Sequence, residues 1–191
     1  MTAQPLTQRA ASQPMSAQIF IRPHIASDLG PLREIWSDLE VMRWMAVSPM
    51  TDQQASDTFA RMMSPDQFSR RSFRFAVVQC HDQRVIGTIS IDCERFSSAY
   101  AHSMVMHRDT WRRGLATEAL GLVVRFGFEN LNAHRIWTAC ETRNEAAKRL
   151  IARVGFTWFG RIPDYYQKEG VWGSVDAYSY IEDDWRARSA C

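Results

Sequence analysis

Apolar residues recur along this chain in two rhythms, one of period two and one near 3.6, and together they predict a mixed α and β domain. Ile19 to Arg22 reads as a short strand stopped by Pro23. Leu32, Ile35, Trp36 and Leu39 then share one helical face, with Pro31 tolerated in the first turn. Thr51 and Gln54 have capping-box spacing, and Ala55, Thr58, Phe59 and Met62 follow at helical intervals. Phe73, Phe75 and Val77 alternate as a strand, His81 to Arg84 turns the chain, and Val85 to Cys93 returns as its hairpin partner. Tyr100 to Met106 is a further strand. Leu120, Val123, Val124, Gly127, Phe128 and Leu131 then mark one face of an amphipathic helix. Arg135 to Cys140 reads as a buried strand. Ala147, Leu150, Ile151 and Val154 form the buried face of a short helix, closed by Gly155 in a left-handed turn. Phe156 to Ile162 and Val175 to Ile181 flank a Tyr-rich connection containing Glu169-Gly170, which predicts a long hairpin.

Composition narrows the class. A chain of 191 residues that is 46% hydrophobic and 12% aromatic can bury one substantial core. A net charge of +2 and the lack of a long Lys/Arg block argue against nucleic acid as the main partner. No apolar run reaches the length of a membrane span. Residues 1–18 are polar and lack the apolar core of a secretory signal, so they are expected to form a disordered tail before a domain at 19–187. Cys80, Cys93, Cys140 and Cys191 show no paired spacing. Cys93 and Cys140 are expected as packed thiols rather than disulfide partners or nucleophiles, in keeping with a cytoplasmic protein.

The stretch from Trp111 to Ala119 (WRRGLATEA) carries the most chemical information. A basic loop with a glycine, opening an amphipathic helix, leaves several backbone N–H groups unpaired at the positive end of the helix dipole. That arrangement suits a phosphate or pyrophosphate, though an ordinary solvated helix start can look the same. Its surroundings favour the first reading. The strand at Arg135 to Cys140 follows this helix, and Asn144 to Phe156 (NEAAKRLIARVGF) supplies a second, Asn-led helix. The arrangement resembles the acyl-CoA-binding half of the GNAT superfamily, the acyl-CoA-dependent N-acyltransferases. It is most similar to the RimJ/RimL-like branch, which acetylates protein N-termini and many small amines. The likeness runs from Ile19 to Trp185 and takes in Ser37 to Met45 (SDLEVMRWM) and Gly170 to Tyr178 (GVWGSVDAY).

The resemblance implies one α/β (α+β) domain whose mixed, mostly antiparallel central sheet is flanked by helices. It implies direct transfer of an acetyl group from acetyl-CoA to an amine, with no metal and no covalent nucleophile. Met104, Val105 and Met106 would offer backbone groups along the pantetheine arm. Arg112, Arg113, Gly114, Leu115, Ala116 and Thr117 would cradle the pyrophosphate, and Asn144 would bond near the pantetheine amide. Three positions depart from the family pattern. Trp111 stands where the loop usually begins with Arg or Gln, Ala147 where a Ser often lies near the leaving sulfur, and Ala101 where many relatives carry Glu.

A base must therefore come from elsewhere or through water. Strand alternation places Thr88, Ser90, Asp92 and Glu94 on one face, so Asp92 and Glu94 are candidates, with His102 on the neighbouring strand. His24, His81, His107 and His134 are scattered without metal-ligand spacing, and no Ser-His-Asp signature is present. Loops around Arg43-Trp44-Met45 and Tyr165-Tyr166-Gln167-Lys168, with Trp172, are expected to form the acceptor pocket, which their aromatic content suits to an amine with an apolar or planar body. Two other readings stay open: an acyl-CoA-binding module of this fold without activity, and an α/β protein whose loop takes another phosphate ligand. The acceptor is expected to be a protein N-terminus or a small amine, and the protein a monomer or homodimer.

Overall fold

The structure, a computed structural model, describes Ser16, residues 18–63 and residues 71–189. One sheet takes in β1 (Ile19–Pro23), β2 (Ser72–Gln79), β3 (Val85–Cys93), β4 (Ser98–Met106), β5 (Arg135–Glu141), β6 (Thr157–Lys168) and β7 (Val171–Ile181). Their order is β1-β2-β3-β4-β5-β7-β6, and every neighbouring pair is antiparallel except β4 and β5. The helices are α1 (Leu29–Ser37), α2 (Leu39–Met42), α3 (Asp52–Met63), α4 (Leu115–Asn130), α5 (Glu145–Val154) and α6 (Glu182–Ser189). The expected mixed, mostly antiparallel sheet flanked by helices is the observed fold.

Joining two parallel neighbours requires a crossover, and α4 supplies it. Its buried face, including Leu120, Val123, Val124 and Phe128, packs on Ile89, Ile91, Ala99, Ala101 and Ile136 of the sheet. Each such side chain contributes about 1.5–3 kcal/mol on full burial. Gly127 lets the helix ride low, since a Cβ there would lie 2.6 Å from Ile136 Cδ1. A second cluster, from Leu32, Ile35 and Trp36 of α1, Val41 and Met42 of α2, and Ala55 and Phe59 of α3, takes in Val105 of β4. The capping box forms as expected: Gln54 Oε1 accepts from the Thr51 N–H at 2.9 Å, and Thr51 Oγ1 from the Gln54 N–H at 3.3 Å.

Two details of β4 shape the site. Thr88 pairs with Val105 while Ser90 pairs with His102, so β4 carries one extra residue between them. Ser103, in that bulge, has φ +53°. On the other edge, β4 pairs with β5 only from Ser98 against Arg135 to Tyr100 against Trp137. Beyond those pairs the two strands part.

Several expectations need correction. Leu39 does not continue the face of α1: Asp38 is extended there and caps α2 through bonds from the Glu40 and Val41 N–H groups, leaving Leu39 75% exposed. The Tyr-rich connection is not a loop. Strand pairing continues to Lys168 against Val171, so only Glu169-Gly170 turns, both at positive φ. Helix α6 was not anticipated, and its Trp185 stacks on Phe128 with ring centroids 5.1 Å apart. The expected tail and Cys191 lie outside the described residues, apart from Ser16 and Gln18. Both of these side chains donate to Glu118 in the first turn of α4.

Candidate active site

The loop before α4 is built by backbone geometry. Arg112 at φ +60° and Gly114 at φ +81° bring the chain into the helix, and among the described residues no side chain caps its N-terminus. The first-turn N–H groups have no intrahelical partner by construction, so they remain available to an anion at the positive end of the dipole. A Cβ on Gly114 would meet nothing within 4 Å, so the glycine serves the positive φ rather than packing. Arg112 and Arg113 are exposed beside it. Trp111 turns back: its Nε1 donates to the Met106 carbonyl at 3.0 Å. The indole therefore ties the end of β4 to the loop, and the Met106 carbonyl is already satisfied. Asn144 caps α5, its Oδ1 accepting from the Ala147 N–H at 3.1 Å, which leaves its amide N–H₂ free to donate.

A polar and aromatic cluster occupies the sheet face opposite α4. His102 Nε2 lies 3.0 Å from Asp92 Oδ2, and His102 Nδ1 lies 2.8 Å from Ser103 Oγ. Ser72 donates to Asp92 Oδ1 at 2.5 Å. Burial alone would raise the Asp92 carboxyl, but hydrogen bonds from His102 and Ser72 hold it below the ordinary carboxylate range. The His102 ring stacks on Tyr100 at 4.9 Å, and Tyr100 stacks on Trp137 at 4.0 Å. Trp137 Nε1 donates to Glu94 at 2.8 Å. Burial, with Tyr165 beside it, pushes the Tyr100 phenol well above its usual range, so it stays neutral.

A second wall lies at the end of β5. The Arg43 guanidinium sits 4.7 Å from the Trp44 ring centroid and that of Arg143 5.7 Å away. Arg143 donates to the buried Glu141 at 2.8 Å. Burial and the Glu141 charge raise the Tyr166 phenol. Tyr166 lies flush against Gly173, where a Cβ would come within 2.3 Å of the ring. The hairpin tip is fastened over this region by Lys168, which donates to the Met42 and Met45 carbonyls at 3.0 and 3.1 Å, and by Ser48, which donates to Glu169 at 2.6 Å.

The expected residues thus fall into groups. Arg112 to Thr117 form one continuous loop and helix start, and β4 carries Met104, Val105 and Met106 along its edge. Val105 and Met106 also contribute side chains to the two apolar clusters, so backbone and core roles coexist. Asp92 and His102 come together. Glu94 lies past the end of β3, which stops at Cys93, and is reached through Trp137. Tyr165 joins the His102 side, Tyr166 the Trp44 side, and Trp172 stays 58% exposed at the hairpin tip. Trp44 is not a bare aromatic wall, because two guanidiniums cover it. Ala101 is buried under α4, on the face away from His102. Ser72, Tyr100, Ser103 and Trp137 were missed. Alternation along Tyr100-Ala101-His102 was a signal for the ring stack, but nothing in the sequence marked the Ser103 bulge. Cys80, Cys93 and Cys140 are free, and burial pushes the Cys140 thiol up to about 12, as for a packed thiol. A separate cavity of about 310 Å³, lined by Val47, Met50, Asp57 and Arg61 among others, contains none of these residues.

Comparison with known proteins places this geometry. A family model described as an acetyltransferase (GNAT) domain matches residues 18–157. An uncharacterised N-acetyltransferase of Bacillus licheniformis, p20, is 26% identical over 171 residues, covering 88% of this chain and 95% of the relative. A GNAT-family acetyltransferase from Bacillus anthracis superposes with a TM-score of 0.79 at 18% identity, covering 90% of this chain and 99% of the other. A spermidine N-acetyltransferase from Vibrio cholerae, solved with CoA and spermine, gives 0.76 at 16% identity with the same coverage.

Proposed function

This chain belongs to the GNAT acetyltransferase family, and from that premise we propose that it moves an acetyl group directly from acetyl-CoA to a primary amine, as a member of the RimJ/RimL-like branch. The observation that carries the reading is the parting of β4 and β5 beside an uncapped, basic α4 N-terminus. Backbone N–H groups of Arg112 to Thr117 would hold the pyrophosphate, the open edge of β4 around Met104 and Val105 would take the pantetheine, and Asn144 would donate to its amide. The co-substrate brings a thioester carbonyl whose thiolate leaves without an acid, which accommodates the Ala147 methyl. The chain's own work is to orient the amine and accept its proton. His102, held by Asp92, is the base, and Glu94 acts at a distance on the ring stack.

For the acceptor, we favour a primary amine with an apolar or planar body. The Tyr100–Trp137 stack and Tyr165 give it a surface to cover, and the Arg43 and Arg143 guanidiniums already occupy the face of Trp44 that a cationic acceptor would take. A panel of aromatic amines, N-terminal peptides and spermidine, read by thiol release from acetyl-CoA, tests this. Fast release with an aromatic or peptide amine is expected. Thermal stabilisation by CoA with no release from any amine would leave a binding module without catalysis. Efficient turnover of spermidine, with KM unchanged in Tyr166→Ala, would refute the pocket assignment.

A further inference from the structure

We propose that Ser103 is a catalytic residue, the hydroxyl relay through which His102 takes the proton from the acceptor amine. The proposal rests on the assignment of His102 as base and adds the atom that meets the substrate. The argument begins at Asp92. An ionised carboxylate only accepts hydrogen bonds, so the nitrogen facing Asp92 at 3.0 Å must carry a hydrogen. That fixes the neutral imidazole as its Nε2–H tautomer, held in register by the Ser72 bond to the other carboxylate oxygen. The basic nitrogen is therefore Nδ1, and it is not bare: Ser103 Oγ stands 2.8 Å from it. His102 is partly buried by the Tyr100 stack, while Ser103 is exposed. An amine arriving from solvent meets the serine hydroxyl before the imidazole.

The backbone explains why this residue reaches the histidine. In an unbroken strand, residues 102 and 103 would point to opposite faces. The extra residue in β4 and the φ of +53° at Ser103 bring its Oγ to the same side as the ring. A left-handed, non-glycine residue is disfavoured, a strain that persists where surrounding structure holds it.

The proton balance is direct. The amine lone pair forms the new C–N bond, the C–S bond breaks and the thiolate departs. The amine nitrogen gives its proton to Ser103 Oγ as the Ser103 hydroxyl proton passes to His102 Nδ1. The imidazolium so formed, stabilised by Asp92, returns the proton to water. Ser103 ends as it began, with no acyl bond to it.

Ser103→Gly is the clean test, because glycine suits the positive φ and removes the side chain, hydroxyl included, without straining the bulge. It should lower kcat/KM by about a hundredfold, the range of a positioned proton-transfer group, while CoA affinity stays unchanged. His102→Ala should match it, and the double variant should be no slower than either, as for groups acting as one unit. Independently of turnover, ¹⁵N NMR of the histidine ring should show Nε2 protonated and Nδ1 unprotonated in the neutral form, with the Nδ1 signal moving in Ser103→Gly. A slow His102→Ala beside a fully active Ser103→Gly would overturn the relay and leave the base assignment standing. Full activity in both variants would remove the base assignment as well. A neutral Nδ1–H tautomer would overturn the relay on structural grounds. Acetylated Ser103 after incubation with acetyl-CoA alone would make it a nucleophile instead.

Discussion

The loop before α4 and the His102 face of the sheet lie on the same strand-and-helix frame but obey different rules. On the proposed reading the loop would work through main-chain N–H groups, so it would depend on backbone conformation at Arg112 and Gly114 and little on which side chains surround it. The His102 face would work through side chains from three strands, Ser72, Asp92 and His102 with Ser103, whose separations are set by strand register and one bulge. A backbone site should fail when its dihedral angles are blocked. A convergent side-chain site should fail when one partner is removed, leaving the other site untouched.

The sharpest separation is expected from Gly114→Asp. A Cβ at φ +81° disfavours the loop conformation that presents the N–H groups, and a carboxylate at the anion site repels the pyrophosphate, so CoA affinity should fall by at least about tenfold. Isothermal titration should show that loss in a protein that still folds, its melting temperature without CoA lowered by only a few degrees. His102→Ala should do the reverse, lowering kcat/KM about a hundredfold with CoA binding intact. A loss below threefold would pass the role to water or to a neighbouring carboxylate.

Smaller effects mark the boundary between the two regions. Lys168→Ala removes the two bonds that fasten the hairpin tip to the end of α2 and the loop after it. It should destabilise by about 1–2 kcal/mol and raise KM for the amine more than for acetyl-CoA. Equal rises would mean the hairpin does not frame the acceptor. Smallest of all is a pH effect at Asp176, on β7 behind α5. The Arg161 guanidinium, opposed by burial and helped by Lys148, holds its carboxyl below the ordinary range. The unfolded chain takes up that proton first, below about pH 4, so the stability is present above that value and lost as pH falls through the lower folded one. Asp176→Asn should flatten the fall in melting temperature between about pH 5 and pH 2. An unchanged slope would show the ion pairs to be inert.

The same contrast explains what could be read from the chain. Periodic apolar positions and the Gly114 loop are local patterns, so the strands, α4 and its glycine-led start were legible. Leu39 misled because helical spacing continued through Asp38, whose side chain caps a new helix instead. The strand at Tyr165–Lys168 was mistaken for a loop because its turn is only Glu169-Gly170. Alternation placed Asp92 on the face that His102 reaches from the neighbouring strand, but not their contact, which is diagonal in the register; Glu94 lies past the end of β3 at Cys93. Ser103 was illegible for a physical reason: its side chain reaches His102 only through a bulge, and no residue type announces one.

The division of labour is tested most directly by a ¹H–¹⁵N NMR titration with CoA. The account predicts that amide signals of residues 112–117, the β4 edge at Met104 and Val105, and Asn144 move together, while Ser72 and Glu94 stay in place. Shifts centred on the cavity lined by Val47, Met50, Asp57 and Arg61, with residues 112–117 unmoved, would contradict it.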